Sequence, residues 1–280
     1  MSAAAPFGRR LQGAVVERGP VVAGIDPHAS LLEDWSLPDD ADGLRTFSLR
    51  TLEAVTGRVA AVKPQSAFFE RHGAAGVAVL EELLAACREA GVLTILDVKR
   101  GDIGSTMGAY AAAHLRAGAP LEADAITVSP FLGAGSLAPA AELAAAHGKG
   151  LFYLALTSNP DGPQVQHART AGDTPVALEI ARHAEEIGGG APGQWSSVGL
   201  VVGATVGDAY RRLGLETAAP HVPLLAPGFG TQGAGPEQRS EVFGSSAGHV
   251  LVSLSRGLLG AGPDSAALRR RAEELRTAYA

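Results

Sequence analysis

Residues 92–106 read VLTILDVKRGDIGST. The apolar, partly β-branched run Val92–Leu96 is strand-forming, and it passes straight into Asp97, Lys99, Arg100 and Asp102, with only Val98 and Gly101 between them. Residues two apart in a strand share a face, so Asp97 and Lys99 project together while Val98 packs the other way. A helix-period segment, MGAYAAAHLRAG (107–118), comes next. Strand, charged strand end and helix together make a βα unit with its chemistry at the C-terminal end of the strand.

Working outward, seven more runs of the same kind appear: VVAGID (21–26), VAAVKP (59–64), DAITVSP (124–130), LFYLALTSN (151–159), VGLVVGAT (198–205), VPLLAPG (222–228) and HVLVSLS (249–255). Helix-period segments separate most of them, among them AGVAVLEELLAACREAG (75–91), LAPAAELAAAHG (137–148), PVALEIARHAEEIG (175–188), TVGDAYRRLG (205–214) and EVFGSSAG (241–248). Eight βα units predict a (β/α)8 barrel, with a doubly wound open sheet as the alternative. The barrel is favoured because polar and glycine residues gather at the C-terminal ends of nearly all strands, where a barrel converges them on one mouth. FGRRLQGAVVERG (7–19) reads as a helix covering the opposite end, and the last segment, SAALRRRAEELRTAYA (265–280), as a packed structural helix.

The bulk properties suit one such domain over residues 1–280, with 46% apolar and 19% charged residues and a mean hydropathy of +0.13. A net charge of −6 and a pI near 5.8 argue against nucleic-acid binding, whereas a small phosphorylated ligand needs only a local positive site. No apolar run reaches the ~20 residues of a membrane span, and LQGAVVERG after Arg9-Arg10 is too short and polar for an export signal, so a cytoplasmic location is expected. Cys87, the only cysteine, falls on an apolar helical face and is expected to be buried and inert.

Four connections stand out. HASLLEDWSLPDDADG (28–43) is acidic and long enough for a short helix of its own; NPDGPQVQHARTAGDTP (159–175) has the Gly, Pro and polar content of a lid; PGFGTQGAGPEQ (227–238) follows strand seven. GGGAPGQWSS (188–197) precedes strand six and reads as a surface connection on the opposite face.

At the mouth, Lys63 ends strand two as Lys99 ends strand three, and with Asp97 and Asp102 they form a set of alternating charges in which each buried ion offsets its neighbour's desolvation. Asp26 closes strand one on the same rim, where a carboxylate suits sugar hydroxyls. Barrels often hold phosphate between the loops after strands seven and eight. There Gly228, Gly230 and Gly233 let backbone approach an anion, Gln232 can donate an amide hydrogen bond and Arg256 can pair with two phosphate oxygens. No metal site is expected, since the histidines are scattered and the candidate carboxylates are interleaved with lysines. No GxGxxG fingerprint opens the first helix, which weakens a dinucleotide reading.

LDVKRGDIGST resembles the DxKxxDI motif of the orotidine 5′-phosphate decarboxylases, and AVKPQ, LTSNP, PGFGTQG and SRGLL follow that family's order from strand one to strand eight. KPQ and TSNP, with the longer loops after strands one and five, are similar to the type 2 subfamily. The resemblance implies a cofactor-free barrel lyase that forms uridine 5′-phosphate in de novo pyrimidine synthesis, with Lys63, Asp97, Lys99 and Asp102 as its Lys-Asp-Lys-Asp tetrad. It further implies a homodimer in which Asp102, Ile103 and Thr106 complete the neighbouring site. Asp26 would then contact ribose, Ser158 and Asn159 the pyrimidine, and Gln232 and Arg256 the phosphate. Two rivals remain: a Mg2+-dependent phosphosugar lyase or synthase of the same superfamily, against which Lys63 counts, and a phosphate-binding barrel without catalysis.

Overall fold

The computed structural model describes residues 5–230 and 233–280. Its strands are β1 (Val21–Ile25), β2 (Ala61–Pro64), β3 (Leu93–Arg100), β4 (Ala125–Val128), β5 (Gly150–Leu156), β6 (Val198–Val202), β7 (Leu224–Pro227) and β8 (Val250–Leu254). They close in chain order into one barrel. Each strand runs parallel to its neighbour, and β8 returns to β1. The open sheet is therefore excluded.

Alternation along each strand divides the core in two. Val22, Ala61, Ile95, Ala125, Phe152, Val201, Leu225 and Leu251 pack together inside the barrel. Val21, Val62, Leu96, Ile126, Leu151, Leu200, Leu224 and Val252 pack outward against the helices. Because both faces are buried, the strands read as nearly continuous apolar runs. Further along the same inward rows come Lys63, Asp97 and Thr127, so the apolar filling gives way to charge as the strands approach the mouth.

The other end is sealed by the N-terminal helix Phe7–Arg18, as its sequence predicts. Phe7 and Leu11 join the interior cluster, and Phe7 meets Phe152 edge-on at 6.1 Å between centroids. Gly150 is required there, since a Cβ would lie 2.2 Å from the Phe7 ring. Arg10 fixes the helix from outside by donating to Asp124 at 2.6 Å. Residues 188–194 lie at the surface as expected, and the expectation needs correcting only where the segment ends: Trp195 is buried in the same interior cluster and Ser196 is fully buried. The open end of the barrel needs apolar cover, and the indole supplies it from a segment whose Gly and Pro content reads as surface loop.

Outside the barrel, the helices Ala41–Val55 and Ser265–Tyr279 pack on each other. Asp40 caps the first by accepting from Gly43 N at 3.0 Å and Asp264 caps the second by accepting from Ala267 N at 2.7 Å. Leu268, Ala272, Leu275 and Tyr279 are buried, in keeping with the structural reading of the last helix. The 28–43 connection does carry a short helix, Ala29–Asp34. The segment 205–214 does not form one continuous helix: a turn at Ala209–Arg212 is separated from Leu215–Ala218 by Gly214 at φ 83°. No helix among the described residues is long and apolar enough to cross a membrane.

Candidate active site

The strand ends enclose a cavity of about 460 Å3, lined by Asp26, His28, Lys63, Gln65, Asp97, Lys99, Thr127, Ser158, Asn159 and Arg256, with Leu154, Val201, Leu225, Pro227 and Phe229 as its apolar part. Four charged side chains run across it in a row. Asp26 Oδ1 lies 3.6 Å from Lys63 Nζ, Lys63 Nζ lies 3.3 Å from Asp97 Oδ2, and Lys99 Nζ lies 2.6 Å from Asp97 Oδ1. Within one chain the alternating array is thus Asp26-Lys63-Asp97-Lys99: Asp26 extends it at the Lys63 end, and Asp102, which the sequence suggests as its fourth member, is not in this row.

Asp97 is the hub. Oδ2 also accepts from Gln65 Nε2 at 2.9 Å, and Oδ1 from Thr127 Oγ1 at 2.8 Å. Burial alone pushes its pKa up, but the charges of Lys63 and Lys99 and the bonds from Lys99 and Thr127 outweigh that and hold the carboxyl well below the usual carboxylate range. Lys63 is its counterpart. Burial favours its neutral form, yet Asp26 and Asp97 on either side raise its pKa and keep it an ammonium. Lys99 differs, with a half-exposed side chain on a backbone at φ 44°. Left-handed backbone is unusual for a residue with a side chain. It coincides with a register shift between β3 and β4 at Leu96–Arg100. Asp97 and Lys99 do share a face, but the strand reaches that arrangement through an irregular end.

At the rim, Thr157 donates to Asn159 Oδ1 at 2.6 Å while Gln166 braces Thr157 through both its amide atoms, at 2.9 and 2.6 Å. Ser158 sits against Gly203, where a Cβ would lie 2.1 Å from Ser158 Oγ. The 227–238 turn is partly self-satisfied: Gly230 N donates to Ala234 O at 2.8 Å and Gly233 N to Gly230 O at 2.9 Å. Of the three glycines only Gly228 lines the cavity, beside Phe229 and Arg256. Gln232 lies outside the described residues.

Asp102, Ile103 and Thr106 do not line this cavity. Asp102 Oδ1 accepts from Ile103 N at 2.8 Å at the exposed start of the helix Gly104–Leu115. Exposed apolar side chains follow the ends of the neighbouring strands β3 and β4: Ile103 (62% exposed) and, on the helix Gly104–Leu115, Tyr110 after β3, and Phe131 (76%) and Leu132 (54%) after β4. Among the described residues no three His, Cys, Asp or Glu side chains are grouped to hold a metal. Cys87 is fully buried and its thiol is pushed up to about 12, mainly by burial.

Sequence reasoning did not single out Gln65, His28 or Thr127. The available signal was period two: Gln65 follows Lys63, and Thr127 follows Ala125, on the inward rows of their strands.

Residues 20–271 match the family described as orotidine 5′-phosphate decarboxylase / HUMPS. The chain is 54% identical over 269 residues to an orotidine 5′-phosphate decarboxylase of Salinispora arenicola, covering 96% of this chain and 95% of the relative. To that of Streptomyces coelicolor it is 53% identical over 279 residues, 98% of both chains. A crystal structure from Streptomyces avermitilis, provisionally named for the same activity, superposes with a TM-score of 0.93 at 51% identity, covering 99% of this chain and 95% of that one.

Proposed function

The chain belongs to the orotidine 5′-phosphate decarboxylase / HUMPS family and carries the decarboxylase activity, converting orotidine 5′-phosphate to uridine 5′-phosphate and CO2; from that premise we propose which of its residues do the work. The observation that carries the assignment is the Asp26-Lys63-Asp97-Lys99 row at the inner end of a cavity with an arginine at its rim.

Decarboxylation breaks the bond between C6 and the carboxylate carbon and leaves the electron pair on C6, where it cannot spread into the ring as an enolate would. An ammonium beside that carbon stabilises the pair and then transfers a proton to it. Lys99 is the group we assign. It is the one of the two lysines with an accessible side chain, and Asp97 orients it at 2.6 Å. The proton moves from Nζ to C6, and the resulting amine regains one from water. Asp97 faces the departing carboxylate and holds Lys99, while Lys63 keeps Asp97 ionised. No cofactor is needed for these steps.

Asp26, with Oδ1 turned to Lys63, offers its second oxygen to ribose hydroxyls. Ser158 and Asn159 serve the pyrimidine. Arg256, with Gly228 and Gln232, serves the phosphate, and binding there favours closure of the 159–175 and 227–238 loops. Asp102, Ile103 and Thr106 act across a dimer of this chain, completing the partner's site. Their absence from the lining of their own cavity and the exposed apolar side chains that follow β3 and β4 support that reading.

Turnover in heavy water, followed by NMR of the product, tests the protonation step. Uridine 5′-phosphate with deuterium at C6 is expected; product carrying only hydrogen at C6, or no product, contradicts it.

A further inference from the structure

Thr127, on β4, is 1% exposed, and its hydroxyl joins two bonds that meet at the reacting centre. It accepts the backbone N–H of Lys99 at 2.9 Å and donates to Asp97 Oδ1 at 2.8 Å. With one lone pair engaged by the N–H, its own proton is directed to the carboxylate oxygen, which is the same oxygen that receives Lys99 Nζ at 2.6 Å. The bond to Lys99 falls where that residue holds φ 44° and where β3 slips against β4, so five residues of β3, Leu96 to Arg100, span three of β4, Ile126 to Val128. A side chain in left-handed backbone persists only when its surroundings over-determine it, and the Thr127 hydroxyl is one of those restraints.

Gln65 also donates to Asp97, but to the other oxygen. Among the described residues Thr127 alone ties the Asp97 carboxylate and the Lys99 backbone through a single atom. We propose that Thr127 is a positioning residue for the decarboxylation, setting the carboxylate and the ammonium at their mutual angle through one hydroxyl. This rests on the reading of Lys99 as proton donor given above. Small misplacements of reacting groups cost on the order of 100-fold in rate, so the hydroxyl acts on the chemical step and not on nucleotide binding.

Steady-state decarboxylation, inhibition by uridine 5′-phosphate and thermal melting, measured for the parent, Thr127→Val and Thr127→Ser, test the proposal. Valine keeps the shape and removes both bonds; serine keeps both bonds and removes the methyl group. In Thr127→Val, kcat is expected to fall on the order of 10- to 100-fold while KM and uridine 5′-phosphate inhibition stay within about 3-fold of the parent. In Thr127→Ser, kcat is expected within about 3-fold of the parent. Three results overturn the proposal: a valine variant with kcat within about 2-fold of the parent, a loss confined to KM and product binding, or a serine variant as impaired as valine. Should Thr127→Val not fold, Thr127→Ala replaces it against Thr127→Ser under the same criteria. A parent that does not turn over the nucleotide overturns the decarboxylase reading itself; an active parent with an indifferent valine variant overturns only the role of Thr127.

Discussion

Asp97 and Lys99 are legible from spacing alone, because an Asp-x-Lys at the end of an apolar strand has one way to place both charges on the same face. The position of Asp26 is not legible in that way. A single carboxylate before a proline could cap a turn, and only closure of the barrel brings it to 3.6 Å from Lys63. Thr127 is hidden for a different reason: in DAITVSP it reads as an ordinary strand-former. Lys63 gives the sharpest prediction at this scale. Its ammonium stands between two carboxylates on a side chain that is 8% exposed, so Lys63→Met leaves Asp26 without its cation and Asp97 with Lys99 alone. Removing one partner of a buried ion pair costs roughly 3–5 kcal/mol. Urea unfolding at neutral pH should show a loss of that order together with loss of turnover; a variant as stable as the parent shows that the row is not the closed electrostatic unit described.

The elements around the mouth were easier to find than to finish. Strand β3 is unmistakable in the sequence, yet its left-handed kink at Lys99 is not, since no glycine marks it. The glycines of 227–238 announce a turn correctly, but the turn uses the N–H groups of Gly230 and Gly233 on its own carbonyls. The helix Gly104–Leu115 presents Asp102 at its exposed start and buries His114 near its other end. Burial, followed by the charge of Arg100, lowers the His114 pKa from 6.5 to about 4. The unfolded chain therefore binds a proton as pH falls through 6.5 and the folded chain does not until about 4, so stability is lost across that window and is complete above it. The full effect is on the order of 3 kcal/mol. Unfolding free energy measured from pH 7 to pH 4 should fall more steeply for the parent than for His114→Phe. Parallel curves would show that His114 is not held neutral.

At the scale of the whole molecule, eight runs with polar C-terminal ends predict a closed parallel barrel, and that is the architecture found. The sealing of its other end was half legible: the amphipathic first helix could be read, whereas Trp195, set among glycines, could not. The exposure of Ile103, Tyr110, Phe131 and Leu132 depends on how neighbouring strand ends are displayed, and no local pattern in the sequence reveals it. It leads to a prediction about assembly. Lys99→Ala and Asp102→Ala should each be inactive alone, and mixing them under exchange should restore about a quarter of parental activity, because half of the dimers then hold one intact site of two. No recovery between folded, exchanging partners contradicts a shared site. The most direct test of the central claim is the loss of orotidine 5′-phosphate absorbance with purified protein in chelator, repeated with added Mg2+ and with Lys99→Ala. Turnover equal in chelator and Mg2+, and absent in Lys99→Ala, is the predicted result; turnover that requires Mg2+, or that survives near the parental rate without Lys99, contradicts it.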